Sequence, residues 1–544
     1  MLSPRANLVL TNGRVYTGLR SGFTEAVALW SDKVLAAGSS AEIQALVGPH
    51  TSVVDLQGRT ATPGINDGHQ HLLPFGLGLS EVNLSPTEVR SLDEVLQRVR
   101  RFVERARPGE WIFGGRYDHF ELDVKRHPLR AELDRVAPDN PVYLKRTCGH
   151  MGVGNSLALR AAGIDAHTAQ PEGGYIEFRE GEPTGLLQER AQELISRVMP
   201  KLSREQLIRG IEDGGKEFHR HGITSVMDAG VGLRQGFDDY RAYIEARRQR
   251  RLPVRCYMAL LAADGGVAAW AEEHGFRTGA GDEYLKVGPA KFFTDGSAGG
   301  KTAAMSQPYR DSNDNLGILI YQDQELYDFV AQFHDLGFQI AIHAIGDAAI
   351  DQTLRALQNA GKRGTPIHGR RHRVEHCGFT TPEQMATMRE FGMIPAPQPI
   401  FIYEFGDLYM DVLGEERPQR SYPMRRWIDA GLHPVASSDT PVSSYNPMQN
   451  LYAMITRKTN RGTVLGAEEI ISREEAVSAM TYNGAYGSFS ETVKGTLAPG
   501  MLADVAVWER DIFAALPEEI LETRCDLTVL DGRVVYDRRG EFES

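Results

Sequence analysis

Two histidines separated by one residue, His69 and His71, are the side chains of this chain whose type and spacing most directly suggest chemistry. Side chains alternate across a β-strand, so residues at i and i+2 point to the same face. Two neutral imidazoles on one face can bind one metal ion, each through a ring nitrogen. Because short histidine pairs also occur by chance on surfaces, this pair indicates a metal site only if further ligands join it.

Further side chains suited to such a site recur downstream, each within or at the end of an apolar stretch that is typical of a buried strand. They are Lys291, His343, His376 and Asp439. Imidazole and carboxylate groups bind zinc, and they also bind manganese, iron or cobalt. A single buried histidine is more often a hydrogen-bonded core residue, but four histidines and one aspartate at matching strand ends favour a metal site.

These stretches belong to a regular alternation of strand patterns and helical patterns, which predicts parallel βα units. We count eight candidate strands, at residues 61–71, 222–228, 254–261, 285–295, 339–343, 372–376, 393–398 and 434–439. Eight such units is the number in a TIM barrel, whose active site lies at the carboxyl ends of the strands. The predicted fold class is therefore α/β, with a (β/α)8 TIM barrel.

Both ends of the chain show short strands and turns instead. Asn12-Gly13 predicts a hairpin near the start, and Asp531-Gly532 predicts one near the end. Neither end has enough strands to bury both faces alone, so we expect one small β-sandwich domain built from both termini. Two unrelated edge hairpins are the alternative. The gap after the first barrel strand is too long for a loop and predicts a large inserted subdomain.

The predicted domain boundaries follow from these patterns. They are 1–60 and 489–544 for the two parts of the β-sandwich domain, 61–75 for the first barrel strand, 76–203 for the insertion over the barrel mouth, and 204–488 for the remainder of the barrel.

Composition argues against several classes of protein. Of 544 residues, 41% are hydrophobic and 24% are charged, which is ordinary for a globular chain. The net charge of −12 argues against a general affinity for nucleic acid or anionic membranes. The sequence contains neither a long apolar run that predicts a transmembrane helix nor the apolar core of a secretory signal. The four cysteines form no C-x-x-C pair, and we expect a cytoplasmic location.

Several longer motifs surround the candidate ligands. They lie at residues 63–71, 291–297, 343–347, 374–376 and 438–441, and related stretches lie at 149–159 and 495–504. With these motifs the chain resembles the amidohydrolase superfamily, and within it the YtcJ-like or amidohydrolase 3 group, which includes N-substituted formamide deformylases. The resemblance extends over nearly the whole chain and is specific to the group, but it does not specify a substrate.

The resemblance implies a site for two divalent metal ions, with zinc expected first, held by the four candidate histidines and Asp439. It also implies that Lys291 carries a carbamate that bridges the metals. An ammonium group cannot ligate a cation, whereas burial and nearby positive charge favour the neutral amine that adds CO2. The alternative is an ordinary ion pair, with Asp295 as a candidate partner, which leaves a one-metal site using His69, His71, His343 and Asp439.

The expected activity is hydrolysis of a non-peptide C–N bond in a small amide, N-formyl or N-acyl compound by a metal-bound hydroxide. Asp439 would take the proton of the water and pass it to the leaving nitrogen. Lys291 and His376 complete the predicted catalytic set. The structural alternative for Asp439 is the N-cap of the next helix. A lactonase or esterase on the same metals, and a non-catalytic regulator on a retained barrel, are the alternative functions.

Substrate contacts are predicted at four positions. His150 and Asp118 lie in the predicted insertion, and Phe401 and Tyr403 follow the seventh strand, where loops face the site. Glu375 lies one position before His376, so strand alternation predicts that it points away and is structural. The expected partner is a small amide-like molecule, with no nucleic acid and no membrane. The family resemblance implies a homodimer.

Overall fold

A seven-stranded parallel sheet forms the centre of the larger of two units in this computed structural model. The structure describes residues 5–86, 88–146, 151–171, 173–262 and 266–542. The larger unit comprises Met1–Leu73 and Gly215–Ser544, and the smaller unit comprises Pro74–Gly214.

The seven strands of the central sheet follow one another in sequence order and form a nearly closed barrel. They are β1 (Ile65–Gln70), β2 (Ile223–Val231), β3 (Arg255–Leu261), β4 (Leu285–Phe293), β5 (Ile340–Ala344), β6 (Arg373–His376) and β7 (Ile394–Ala396). Most of their residues are buried, as expected when a parallel sheet is covered on both faces. The prediction of parallel βα units around a central sheet is confirmed for these strands.

The predicted eighth strand, residues 434–439, is wrong as a strand, although the segment lies where a strand would close the barrel. The amides of Val435 and Ser437 donate to the carbonyls of Pro395 and Pro397, at 2.9 and 3.1 Å. The two prolines have no amide hydrogen to return, so these contacts with the chain at β7 run in one direction only. On the other side, the Asp439 amide donates to the His69 carbonyl at 2.8 Å, and the segment therefore links β7 to β1.

The first predicted strand, residues 61–71, is in fact two strands that belong to different sheets. Thr60–Pro63 pairs antiparallel with Val505–Trp508 in a terminal sheet, and β1 begins two residues later. Gly64 separates them because its backbone lies against Thr224, where an added Cβ would be 2.2 Å from the hydroxyl oxygen.

Helices alternate with the barrel strands, and local sequence explains their limits. Thr381 caps Pro382–Phe391 by accepting from the Gln384 amide, and Gly392 ends that helix with φ +64°. The helices of two or more turns that begin after β2 are Phe237–Arg248, Val267–Glu273, Asp323–Asp335, Asp347–Gly361, Pro382–Phe391, Ile400–Leu413, Pro447–Thr456 and Arg473–Ala479. Shorter helices span Met424–Asp429, Tyr482–Gly487, Pro517–Glu522 and, at the N-terminal end, Ser40–Gln44.

Two further sheets are built from the chain termini and share one hydrophobic cluster. One sheet contains Lys33–Gly38, Ala26–Trp30, Leu8–Thr11 and Ser52–Asp55; the other contains Arg533–Asp537, Cys525–Leu530, Val505–Trp508, Thr60–Pro63, Arg14–Gly18 and Gly22–Thr24. The predicted hairpin at Asp531-Gly532 is confirmed. The one at Asn12-Gly13 is wrong, since its flanking strands lie in different sheets.

The smaller unit contains a six-stranded sheet with a hydrophobic cluster of its own that includes Val82, Leu144 and Val153. Its strands, in spatial order, are Gly174–Arg179, Glu182–Glu189, Met151–Gly154, Val142–Arg146, Ile112–Tyr117 and Val82–Asn83. Its helices include Leu92–Val103, Arg130–Val136, Ser156–Ala161 and Gln192–Ser196, while Leu72–Leu79 and Arg204–His219 continue from one unit into the other. Among the described residues, no helix is long and apolar enough to cross a membrane.

Several histidines of the larger unit are buried in neutral form. The Ile340 amide donates to His372 Nδ1 at 2.9 Å, so the ring proton of His372 lies on Nε2 and faces His334 Nδ1, also at 2.9 Å. His334 Nε2 then donates to the Thr365 carbonyl. Burial lowers the pKa of His372 well below 6.5, and it lowers the pKa of His219 to about 4.

We predict that the protein loses stability as the pH falls below about 6.5. The unfolded chain takes up a proton at each such histidine near that pH, whereas the folded chain resists protonation, so stability present above it is lost on acidification. His219 should contribute about 1 kcal/mol of this loss between pH 7.5 and 5.5. Urea unfolding of His219→Gln should show a correspondingly smaller pH effect. An unchanged pH dependence in the variant would contradict the assignment.

Candidate metal centre

Backbone pairing at the closing edge of the barrel brings His69, His71 and Asp439 together. The Asp439 amide donates to the His69 carbonyl, and the His71 amide donates to the Thr440 carbonyl, both at 2.8 Å. The Nε2 atoms of His69 and His71 lie 3.4 and 3.3 Å from the same carboxylate oxygen of Asp439. One ligand atom from each residue lies within 4.8 Å of the others, which is a grouping that a metal ion can hold.

The other two predicted histidine ligands continue this cluster along the barrel interior. The His376 ring lies 4.8 Å from the His69 ring, and the His343 ring lies 4.3 Å from the His376 ring, measured between centroids. The four imidazoles therefore occupy neighbouring positions, although the tight group of ligand atoms contains only His69 and His71.

Hydrogen bonds fix which ring nitrogen each histidine can offer. His69 Nδ1 faces a carboxylate oxygen of Glu375 at 2.5 Å, and His376 Nδ1 faces the amide oxygen of Gln398 at 2.6 Å. His343 Nε2 faces the Gly296 carbonyl at 3.0 Å. An oxygen acceptor requires a proton on the facing nitrogen, so the opposite nitrogen keeps its lone pair in the neutral form of each ring.

This donor set fits a divalent metal. Neutral imidazole nitrogens and a carboxylate are ligands for zinc and similar ions, and metal-binding histidines usually donate their second nitrogen to an oxygen. Burial, followed by repulsion from His343, lowers the pKa of His376 well below 6.5 and keeps that ring neutral. His71 Nδ1 is buried without a hydrogen-bond partner in the described part of the chain.

Lys291 lies on β4 with its amine in the barrel interior. The side chain is buried, and Nζ has no hydrogen-bond partner among the described residues. Burial, with a contribution from the charge of Arg373, lowers its pKa to about 8, even though the carboxylates of Glu375 and Asp439 act to raise it. A neutral amine is therefore accessible near physiological pH, which is the form that reacts with CO2.

The alternative ion pair between Lys291 and Asp295 is wrong. The Asp295 carboxylate accepts hydrogen bonds from three backbone amides, those of Ala304 at 2.9 Å, Ile345 at 3.0 Å and Gly346 at 2.9 Å. It thereby links the loop after β4 to the loop after β5, and one of its oxygens lies 3.3 Å from His343 Nε2.

Asp439 is held as a carboxylate in an unusual backbone conformation. Burial alone would raise its pKa, but the adjacent imidazoles of His69 and His71 prevail and lower the pKa well below its usual value. Its φ is +59°, a left-handed conformation that non-glycine residues rarely adopt and that recurs at functional sites. Asp439 is not the N-cap of the next helix, since Asn446 caps Pro447–Thr456.

The expectation that Glu375 points away from the site is wrong. Its carboxylate faces His69 inside the barrel and accepts two hydrogen bonds from Arg373. Glu375 and Arg373 are two residues apart and share the inner face of β6. Strand alternation fails at the next residue because His376 has φ +64°, which turns its ring back toward the interior.

Asp67 and Gln398 also support the site, and neither of them was predicted from the sequence. Asp67 accepts hydrogen bonds from the amide and the hydroxyl of Ser438, the residue before Asp439, and burial raises its pKa to about 6. Gln398 holds His376 and donates to the Ser437 hydroxyl at 3.0 Å. Asp67 could have been found, since it lies two residues before His69 and shares its face of the strand. Gln398 offered no such signal.

The predicted substrate contacts have different surroundings. Phe401 and Tyr403 lie in the helix Ile400–Leu413, and the expectation of a loop there is wrong, because the apolar run after Pro399 continues as a helix. The Phe401 ring is 6.4 Å from the His376 ring, whereas Tyr403 packs against Tyr452. In the smaller unit, both carboxylate oxygens of Asp118 accept from Arg146 Nη2 at 2.9 Å. His150 lies outside the described residues.

Known proteins resemble this chain over almost its whole length. A family model described as "Amidohydrolase family" matches residues 52–536. The putative amidohydrolase YtcJ of Bacillus subtilis (strain 168) is 29% identical over 540 residues, or 97% of this chain and 98% of the relative. The N-substituted formamide deformylase of Arthrobacter pascens is 27% identical over 551 residues, or 98% of this chain and 99% of the relative.

A solved structure extends the comparison to three dimensions. An uncharacterized metal-dependent hydrolase from Pyrococcus furiosus is 27% identical, and it aligns with a TM-score of 0.77 over 93% of this chain and 99% of its own.

We predict that His71→Ala lowers the affinity for zinc by about ten-fold or more, because it removes one of the three grouped ligands. His50→Ala, which changes an exposed histidine, is the control and should bind zinc like the unmodified protein. Competition with a chromophoric chelator measures both. Equal zinc affinity in the two variants would show that His71 is not a ligand.

Proposed function

The chain belongs to the amidohydrolase family, and we propose that it is a metal-dependent hydrolase that cleaves a non-peptide C–N bond in a small amide, N-formyl or N-acyl compound. The observation that carries this proposal is the convergence of His69, His71 and Asp439 on one point of the barrel interior. The choice of a C–N bond is supported by the relative named N-substituted formamide deformylase.

We propose that the four clustered histidines and Asp439 hold two divalent ions, with zinc as the first choice and manganese, iron or cobalt as substitutes. Lys291 would complete the ligand set as a carbamate. Its neutral amine forms a nitrogen–carbon bond to CO2 and releases one proton. This role is supported by the burial of the amine, for which the described ranges contain no hydrogen-bond partner. When bound, the ions supply Lewis-acid polarisation of the substrate carbonyl and make water more acidic.

Asp439 is the proposed proton carrier. Its low pKa leaves the carboxylate free to accept a proton from the attacking water at neutral pH. The same carboxyl group then delivers that proton to the nitrogen of the breaking C–N bond, so the amine leaves as a neutral molecule. The Nε2 atoms of His69 and His71 lie 3.4 and 3.3 Å from the same oxygen of this carboxylate, so the three groups would share one ion.

The finer architecture is part of the proposal. The hydrophobic cluster shared by the two terminal sheets supports one β-sandwich domain. The separate hydrophobic cluster of residues 74–214 supports an inserted subdomain after β1.

The test is a hydrolysis screen of the metal-loaded protein. N-formyl and N-acyl amines should be cleaved, and chelation should abolish the activity. Matched lactones and esters separate the alternative carbonyl substrates, and cleavage of these alone would overturn the amidase assignment. Protein that holds metal and cleaves none of these compounds would favour a binding or regulatory role.

We predict that Asp439→Asn keeps most of the bound metal but lowers kcat by about 10²–10⁴-fold, because an amide cannot carry the proton. Metal analysis and steady-state kinetics on the same preparation give the two readings. Near-normal turnover in this variant would contradict the role of Asp439.

We predict that Lys291→Ala lowers the metal content and that formate or acetate partly restores it, because a short carboxylate can replace the carbamate. Lys286→Ala is the matched control. Lys286 lies on the same strand, but its amine donates to the Ser490 hydroxyl at 2.8 Å. Elemental analysis should show unchanged metal in the control. Unchanged metal in Lys291→Ala would rule out a bridging carbamate.

A further inference from the structure

Arg373 and Glu375 form an ion pair deep inside the barrel, and both side chains are at most 1% exposed. Arg373 Nε donates to one carboxylate oxygen of Glu375 at 2.6 Å, and Nη2 donates to the other at 3.1 Å. The same Nη2 also donates to the Gly68 carbonyl at 2.7 Å. The guanidinium group therefore binds its own strand and the backbone of β1 together.

Glu375 completes the connection to the metal centre. The carboxylate oxygen that receives Nη2 also accepts from His69 Nδ1 at 2.5 Å. The strands β6 and β1 are not neighbours in the sheet, so these contacts cross the barrel interior. A continuous path of hydrogen bonds thus runs from the Arg373 guanidinium through Glu375 to the ring of His69.

We propose that Glu375 is a positioning residue for the metal centre, holding His69 as the Nδ1–H tautomer with Nε2 directed at Asp439, and that Arg373 anchors Glu375 in this role. The inference rests on the proposed function only in taking His69 as a metal ligand. In this role Glu375 would act through His69 and not on the substrate.

A purely structural role accounts less well for this arrangement. A buried ion pair by itself is a weak source of stability, because desolvation offsets the attraction. The Arg373–Glu375 pair could bind Gly68 without any contact to His69, yet one carboxylate oxygen is shared between His69 and Arg373.

Lys291 is the other cation near this carboxylate, but it does not bind it. Lys291 Nζ has no hydrogen-bond partner among the described residues, and both oxygens of Glu375 are already engaged. One carboxylate oxygen of Glu375 is shared by Arg373 and His69, and its contact with Nδ1 makes the imidazole a stronger metal ligand.

Two substitutions of Glu375 separate its effect on the His69 tautomer from the effect of its negative charge. Glu375→Ala removes both the acceptor and the charge, so His69 can protonate on either nitrogen and rotate. Glu375→Gln keeps an oxygen that can accept from His69 but turns an NH2 group toward Arg373. We expect the zinc dissociation constant to rise about 10–100-fold in Glu375→Ala, which is the usual effect of losing such a partner, and less in Glu375→Gln.

The barrel unit offers a matched control in Glu469. This glutamate is also fully buried and forms an ion pair with Arg426. It additionally accepts from the Arg426 amide at 3.2 Å. Glu469→Ala and Glu469→Gln therefore remove an equally buried glutamate and its ion pair with a half-exposed arginine, without touching His69. They should lower thermal stability but leave the zinc dissociation constant unchanged.

For the Glu375 and Glu469 variants, chelator competition measures the zinc affinity, and 15N NMR of the metal-free protein measures the His69 tautomer. The expected result is weaker zinc binding in the Glu375 variants alone, with loss of the Nδ1–H signal of His69 in Glu375→Ala. The inference is overturned by zinc affinity within threefold of the unmodified protein, by an equal loss in the Glu469 variants, or by an unchanged tautomer.

This design separates the inference from the proposed hydrolase activity. The tautomer measurement needs neither metal nor substrate, so it decides the role of Glu375 even if the protein cleaves no amide. Conversely, an active hydrolase whose Glu375 variants keep the tautomer and the zinc affinity would retain the proposed function and lose only the positioning role.

Discussion

Two backbone hydrogen bonds at the closing edge of the barrel bring the candidate metal ligands together. They join Asp439 and Thr440 to His69 and His71, at opposite ends of the barrel sequence. Asp67 reinforces the same edge by binding Ser438. Because the carboxylate and the two imidazoles are set by main-chain contacts, their convergence does not depend on flexible side chains alone. The left-handed backbone of Asp439 is the strain that this arrangement stores.

The barrel interior then determines the electrostatics. It holds Lys291, Arg373, Glu375 and Asp439 away from water, where charges interact more strongly than at the surface. Arg373 and Glu375 form an ion pair, and Asp439 lies next to His69 and His71. Lys291 Nζ has no hydrogen-bond partner in the described part of the chain, and burial lowers its pKa.

Much of the fold could be predicted from sequence because the barrel strands are buried on both faces and alternate with helices. The errors occur where tertiary contacts override local pattern. The first strand divides at Gly64 because the backbone approaches Thr224, and the last segment is no strand because Pro395 and Pro397 cannot complete a ladder. Asn12-Gly13 does not form its hairpin, since the chain there passes from one sheet to another.

The candidate site shows the same division. Residue types that can bind metal were visible at strand ends in the sequence, and the structure groups three of the six predicted ligands, His69, His71 and Asp439. Glu375 was misassigned because alternation assumes a regular strand, whereas His376 turns back with a positive φ. The partner of His376, Gln398, lies 22 positions later, and no local pattern connects the two.

The most direct measurement is an anomalous difference map from crystals grown with zinc and recorded at the zinc absorption edge. The account predicts a peak about 2.0–2.2 Å from Nε2 of His69, Nε2 of His71 and a carboxylate oxygen of Asp439. Zinc bound elsewhere, with these three side chains in place and free of metal, would contradict it.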